Sequence, residues 1–279
     1  MTREQGSLVR EWKGSVAFIT GGGQGIGLGI ARALAKRGVR LALADIDEAA
    51  LASGKGELAA LTGVETYRLD VRDREAFAAV ADEAESSLGP VDLLFNNAGI
   101  APYSSLPRLQ YEQWDLVMGV NVHGVINGVQ TFLPRMIERG KGGYVVNTAS
   151  GAGLVAGPNV LYTTSKYAIV GMSESLKHAA AKYGIDVSVL CPAAVATNIL
   201  RSTDTLGSAA GLGQRAAARK STEDYISTGL SIDVVGEMVL AGMESKATWI
   251  LTDSEIAPYV KMRAEALLDA FPAAASGVS

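Results

Sequence analysis

Short apolar runs recur along this chain, each too brief for a helix, and longer amphipathic stretches separate them. Residues 16–20, 40–45, 64–70, 91–96, 143–148, 185–190 and 248–251 read as strands. Residues 25–38, 47–61, 72–88, 111–136, 162–183, 221–243 and 255–271 read as helices. Pro134 is expected to end the fourth helix, and Thr222-Glu223-Asp224 to open the sixth. Strands that are apolar along most of their length leave no face for water. They predict a parallel sheet covered on both sides by helices: an α/β, Rossmann-type, doubly wound sheet in three layers. No internal repeat interrupts the alternation, so residues 1–279 are expected to form a single domain. Residues 194–230 break the pattern, with Gly207, Gly211 and Gly213 among small and polar residues. This stretch is expected to be a mobile loop with short helical pieces, and the tail after Phe271 to fray.

Composition narrows the class. Of 279 residues, 48% are apolar and 19% charged, which supports a substantial core and excludes a disordered chain. Lys and Arg number 25 against 29 Asp and Glu, a net charge of −4, so no nucleic-acid partner is expected. Cys191 is the single cysteine, which rules out an internal disulfide and a cysteine-based zinc site. His123 and His178 are the only histidines; both are expected to be structural or at the surface, and no metal is expected. No signal-peptide core and no run of about 18 apolar residues is visible. A soluble cytoplasmic protein without a membrane partner is expected.

The first strand runs into Thr20-Gly-Gly-Gly-Gln-Gly-Ile-Gly27, where a helix opens. Unpaired N–H groups and partial positive charge at a helix start suit a diphosphate, and glycines let the backbone approach it. A merely tight strand–helix turn is the alternative. The second strand ends in Asp45, whose carboxylate can accept from both ribose hydroxyls of an adenosine and would repel a 2′-phosphate. Its neighbours Ala44, Ile46 and Asp47 include no base, and the loop carries Gln24, so NAD is expected over NADP. Asp45 can instead cap the following helix. Asp70, with Val71, has the same two readings: a contact to the adenine amino group, or a helix cap.

Tyr162-Thr-Thr-Ser-Lys166 places a phenol and an ammonium at i and i+4 on one helix face. The lysine charge is expected to lower the phenol pKa, so that the phenol can exchange a proton with an alcohol near neutral pH. Ser150 follows the fifth strand, and Asn96-Asn-Ala-Gly99 the fourth, on the sheet edge where ligands bind in such folds. Thr148 is the fallback hydroxyl. Asn96 and Asn97 can equally bond neighbouring backbone.

These pieces, with Asn121, Pro192 and Thr197, resemble the short-chain dehydrogenase/reductase family in its shorter, single-domain branch. They span roughly residues 14 to 200 in the family's order. The resemblance implies that Tyr162 is the general acid/base. It implies that Ser150 orients the substrate oxygen and that Lys166 tunes the tyrosine and binds the nicotinamide ribose. Asn121 would hold a water in a proton relay. Gly21, Gln24, Gly25, Ile26 and Gly27 would cradle the diphosphate. Asp45, Ile46, Asp70 and Val71 would meet the adenosine, and Asn97, Ala98 and Gly99 would flank its ribose. Pro192, Val195 and Thr197 would meet the nicotinamide end. Ala193 departs from the family's usual glycine, and the Ser150–Tyr162 spacing is one residue short of the commonest.

The function implied is an NAD-dependent oxidoreductase interconverting a secondary alcohol and a ketone. Leu154, Val155, Val160, Leu161, Ile199, Leu200 and Leu206 suggest a hydrophobic or aromatic substrate under a roof formed by 194–230. A homo-oligomer, tetramer or dimer, is also implied. Two alternatives stand beside it. One is a non-catalytic NAD-sensing regulator. The other is an epimerase or dehydratase of the same family, whose members usually carry a longer C-terminal domain.

Overall fold

The structure, a computed structural model, describes residues 12–207 and 216–272. Residues 1–11, Gly211, Gly213 and the tail 273–279 lie outside the described residues. Seven strands form one parallel sheet: β1 (Val16–Thr20), β2 (Arg40–Asp45), β3 (Val64–Arg68), β4 (Leu93–Asn96), β5 (Gly143–Thr148), β6 (Ile185–Cys191) and β7 (Trp249–Leu251). Their order is β3-β2-β1-β4-β5-β6-β7. The chain therefore reverses its direction of travel between β1 and β4, opening a crevice at their carboxyl ends.

Every residue of β1 and β5 is buried, as expected of strands covered on both faces. On one side lie α1 (Gly25–Ala35), α2 (Glu48–Leu58) and α9 (Ile232–Glu244), with Leu34, Val235, Val239 and Leu240 in the core. On the other lie α3 (Arg74–Leu88), α4 (Tyr111–Met118), α5 (Gly124–Arg139) and α6 (Val160–Ala180). There Phe18 packs on Phe132 with ring centroids 4.8 Å apart, and Phe77 joins them. Helices α7 (Ile199–Gly207), α8 (Ala216–Ser227) and α10 (Ala257–Asp269) complete the described chain.

Most elements match the sequence expectation to within a few residues, and three differences are informative. Pro134 lies inside α5 rather than ending it, and the helix runs on to Arg139, where Gly140 caps it at φ 63°. Phe132 and Met136 are fully buried on that turn, so packing outweighs the one backbone bond that proline forfeits. The expected helix 111–136 is also interrupted by a π-helical turn at Gly119–His123, which contains Asn121. Finally, the expected helix 221–243 is two helices. Thr222, Glu223 and Asp224 lie within α8, and Ser231 caps α9 by accepting from the Val234 N–H. Between them Leu230 pairs with Val195, and the Leu230 N–H donates to the Ala194 carbonyl at 3.1 Å. A tertiary backbone contact thus overrides local helical periodicity.

The stretch Tyr111–Arg139 is long and apolar enough to cross a bilayer, with a mean hydropathy of 1.2 over its best window. It is a core helix here, with 67% of that window buried inside the protein.

Candidate active site

The carboxyl ends of β1 to β6 frame a cleft that opens to solvent, at the edge of the sheet where ligands bind in folds of this order. Gly21, Gln24, Gly25, Ile26, Asp45, Ile46, Asp70, Val71, Asn97, Ala98, Gly99, Tyr162, Lys166, Pro192 and Thr197 all line it. Residues drawn from sequence segments far apart therefore converge on one surface.

The glycine turn leaves room for a ligand because side chains cannot fit there. Gly25 opens α1 at φ +55°, against Thr197. A Cβ on Gly27 would lie 2.1 Å from the Gly21 carbonyl oxygen, so Gly27 shapes the turn from beneath and does not itself line the cleft. Asp45 is buried, and its carboxylate accepts from the Gly23 and Asp47 N–H groups, each at 3.1 Å. The cap of α2 is Asp47, which accepts from Ala50. Asp45 is therefore not the helix cap, and it faces the cleft. Burial holds its carboxyl above the usual range, and the three backbone N–H groups of Asp47, Gly23 and Ile46 oppose that shift.

Asp70 likewise does not cap α3; Asp73 does, by accepting from the Ala76 N–H. Asp70 instead accepts from the Arg72 backbone N–H and from its guanidinium, the shortest bond being 2.6 Å. That guanidinium holds the Asp70 carboxyl below its usual range. The asparagines divide in favour of structure. Asn96 donates to Asn147. Asn97 donates to the Thr20 and Gly21 carbonyls and accepts from the Thr148 hydroxyl. Asn97 thereby pins the glycine turn to β4 while still bordering the cleft.

Tyr162 and Lys166 share one face of α6, with the Lys166 Nζ 5.5 Å from the Tyr162 ring centroid. Lys166 is buried and donates to the Thr148 carbonyl at 3.1 Å. Ser150 accepts from the Ala152 N–H, and its side chain lies near enough to Tyr162 to act on the phenol pKa. The expectation that the lysine lowers the phenol pKa is not met in the protein alone. Desolvation pushes Tyr162 up, Ser150 opposes it, and desolvation lowers Lys166 to about 8. Desolvation shifts each group toward its neutral form, although a lysine near 8 stays mostly protonated at pH 7.

Asn121 is buried in the π turn. Its amide donates to the Ile100 carbonyl and the Ser165 hydroxyl and accepts from the Ile100 N–H. It does not line the cleft, but it flanks Gly99 on the same side as Lys166: a Cβ there would meet Asn121 Oδ1 at 3.4 Å and Lys166 Nζ at 3.5 Å. Val195 is also away from the cleft, buried in its pairing with Leu230. Of the expected apolar walls, Ile199 and Leu206 line the cleft, whereas Leu161 is buried in the core. Ala193 takes the place of the expected glycine without strain, its N–H donating to the Thr252 hydroxyl at 3.0 Å. Burial pushes the Cys191 thiol up to about 12, which suits an inert apolar residue. His123 and His178 are exposed.

Sequence reasoning missed Leu69, Ile100, Val120 and Ser202, which also line the cleft. Ser202 accepts from the Gln24 side chain at 3.3 Å, joining α7 to the glycine turn. The end-of-strand position of Leu69 was a usable signal; nothing local marks the others. Among the described residues, no cluster of metal-ligating side chains is present.

The family model for short chain dehydrogenases matches residues 15–206. The C alpha-dehydrogenase of Sphingobium sp. is 32% identical over 94% of this chain and 88% of its own length. The 3beta-hydroxysteroid dehydrogenase 2 of Eggerthella lenta is 36% identical over 77% of this chain and 85% of its own. A short chain dehydrogenase/reductase from Burkholderia phymatum, crystallised in complex with NAD, superposes with a TM-score of 0.87 at 35% identity, covering 96% of this chain and 99% of that one. The family model spans more than half of the chain and these relatives match it along most of its length, so the chain belongs to the short-chain dehydrogenase/reductase family.

Proposed function

We propose that this protein is an NAD-dependent oxidoreductase that interconverts a secondary alcohol and a ketone of hydrophobic or aromatic character. The observation that carries this reading is the convergence of Tyr162, Lys166 and the glycine turn on one cleft. The cradle at Gly21 and Gly25 fits a diphosphate, and the Asp45 carboxylate fits an unmodified ribose. When bound there, NAD supplies a two-electron hydride acceptor.

In the oxidative direction the Tyr162 oxygen takes the hydroxyl proton, while Ser150 holds the substrate oxygen by donating to it. Lys166 holds the nicotinamide ribose. Asn121 supports the relay at one remove, by fixing Ile100 and Ser165 beside the lysine. Lys166 is buried while Tyr162 reaches the cleft, so the proton exchange is directed at a molecule held in the cleft. Ile199 and Leu206 from α7 supply apolar wall. One dehydrogenase relative acts on a hydroxysteroid by its name, which supports a hydrophobic carbinol. The exposed apolar side chains Tyr259, Met262 and Leu268 on α10, with Phe271 just after it, suit the homo-oligomer, dimer or tetramer, that the family resemblance implies.

A panel of hydrophobic alcohols and ketones, followed by NADH absorbance, tests the reading. Tyr162→Phe is expected to lower turnover by at least ~10²-fold and to leave NAD binding intact. A fully active Tyr162→Phe refutes the role of the phenol. Tight NAD binding with no turnover across the panel favours a sensing regulator instead.

A further inference from the structure

Three consecutive residues after β4 are each tied to a different element around the cleft. Ile100 is held through both its N–H and its carbonyl by Asn121 in the π turn, at 2.9 Å each. The Ala101 N–H donates to the Thr203 hydroxyl of α7 at 2.9 Å. The buried Pro102 carbonyl accepts from the Asn159 side-chain amide at 2.7 Å. Asn159 is also the N-cap of α6: its Oδ1 accepts from the Tyr162 N–H at 3.3 Å. One side chain therefore holds the backbone of the proposed acid/base and the loop that fastens the roof of the cleft.

The residue type is informative. Serine, threonine, aspartate and asparagine all cap helices by accepting an N–H. Of these, asparagine alone carries an amide NH₂ that can donate as well while its oxygen accepts. A cap by itself does not need that second half; a brace between Tyr162 and Pro102 does. The two bonds fix the amide plane, and the first turn of α6 is thereby set against the loop 100–102 and, through Thr203, against α7.

We propose that Asn159 is a positioning residue for Tyr162, holding the phenol at its working distance from a substrate enclosed by α7. This rests on the proposed function, since it assigns the geometry to alcohol–ketone chemistry. Displacements of about 1 Å at a reacting group cost about 10²-fold in rate, so a brace of this kind is a determinant of turnover.

Asn159→Ser and Asn159→Asp test it in the full-length protein. Both keep an oxygen for the Tyr162 N–H and so keep the cap. Serine is too short to reach Pro102, and aspartate presents an acceptor to an acceptor. At saturating NAD, kcat/KM for the best alcohol is expected to fall about 10- to 100-fold in both variants. The second readout is the titration of the Tyr162 phenol by ring-labelled tyrosine NMR, its resonance identified by disappearance in Tyr162→Phe. That titration is expected to shift in Asn159→Ser. Parental kcat/KM together with a parental Tyr162 titration overturns the proposal and reduces Asn159 to a cap. If Asn159→Ser does not fold, the kcat/KM of Asn159→Asp decides. A parent protein with no turnover on any substrate refutes the proposed function; the Tyr162 titration in Asn159→Ser then decides the brace alone.

Discussion

Replacing Lys166 with methionine removes a buried ammonium while keeping most of the side-chain volume. Burial lowers the folded-state pKa of Lys166 from 10.5 to about 8. Each pKa unit corresponds to about 1.4 kcal/mol, so the charged lysine opposes folding by about 3 kcal/mol at pH 7. The methionine variant loses the bond to the Thr148 carbonyl, which costs about 1–2 kcal/mol if that carbonyl stays buried and unpaired. The net expectation for the cofactor-free protein is a gain of about 1–2 kcal/mol at pH 7, with turnover lost. The pH dependence has a definite sign. Because the folded pKa is depressed, the unfolded chain binds more protons between about 8 and 10.5. Parental stability therefore rises with pH through that window, and the penalty is complete below it. Urea unfolding of both proteins at pH 7, 8, 9 and 10, without cofactor, measures it. A methionine variant less stable than the parent at pH 7, or one with the parental pH slope, would refute the assignment of a desolvated ammonium at this site.

Asp45→Ala is expected to weaken NAD about 10- to 100-fold, the loss of hydrogen bonds to one charged acceptor, while NADP loses less. Equal ratios of NAD to NADP affinity in parent and variant, by calorimetric titration, would misplace the ribose contact. Gly27→Ala pushes a methyl against the Gly21 carbonyl at 2.1 Å. Overpacking of this kind costs about 1–3 kcal/mol, so a lower melting temperature and loss of NADH fluorescence enhancement are expected. Parental NADH binding in that variant would show that the turn does not cradle the diphosphate.

Much of the fold and site was legible in the chain because its signals are local. Apolar runs such as 16–20 and 143–148 are buried from end to end, and their composition alone calls for a sheet covered on both faces. Helical spacing puts Tyr162 and Lys166 on one face wherever the helix goes. The turn from Thr20 to Gly27 needs glycine for steric reasons that the letters already display. Asp45 was legible as a carboxylate at a strand end, although its bonds to Gly23 and Asp47 were not.

What tertiary structure decided is where local preference meets a neighbour. Pro134 stays inside α5 because Phe132 and Met136 are buried on that turn. The break between α8 and α9 follows from the pairing of Leu230 with Val195, 35 positions earlier in the chain. Asn121 is occupied with Ile100 and Ser165, and Asn159 braces Pro102, only because the folded sheet brings those backbones within reach. The protonation balance of Tyr162 and Lys166 belongs to the same class: spacing places the two groups together, but the amount of water left around them is a property of the packed molecule, and desolvation is the largest influence on both.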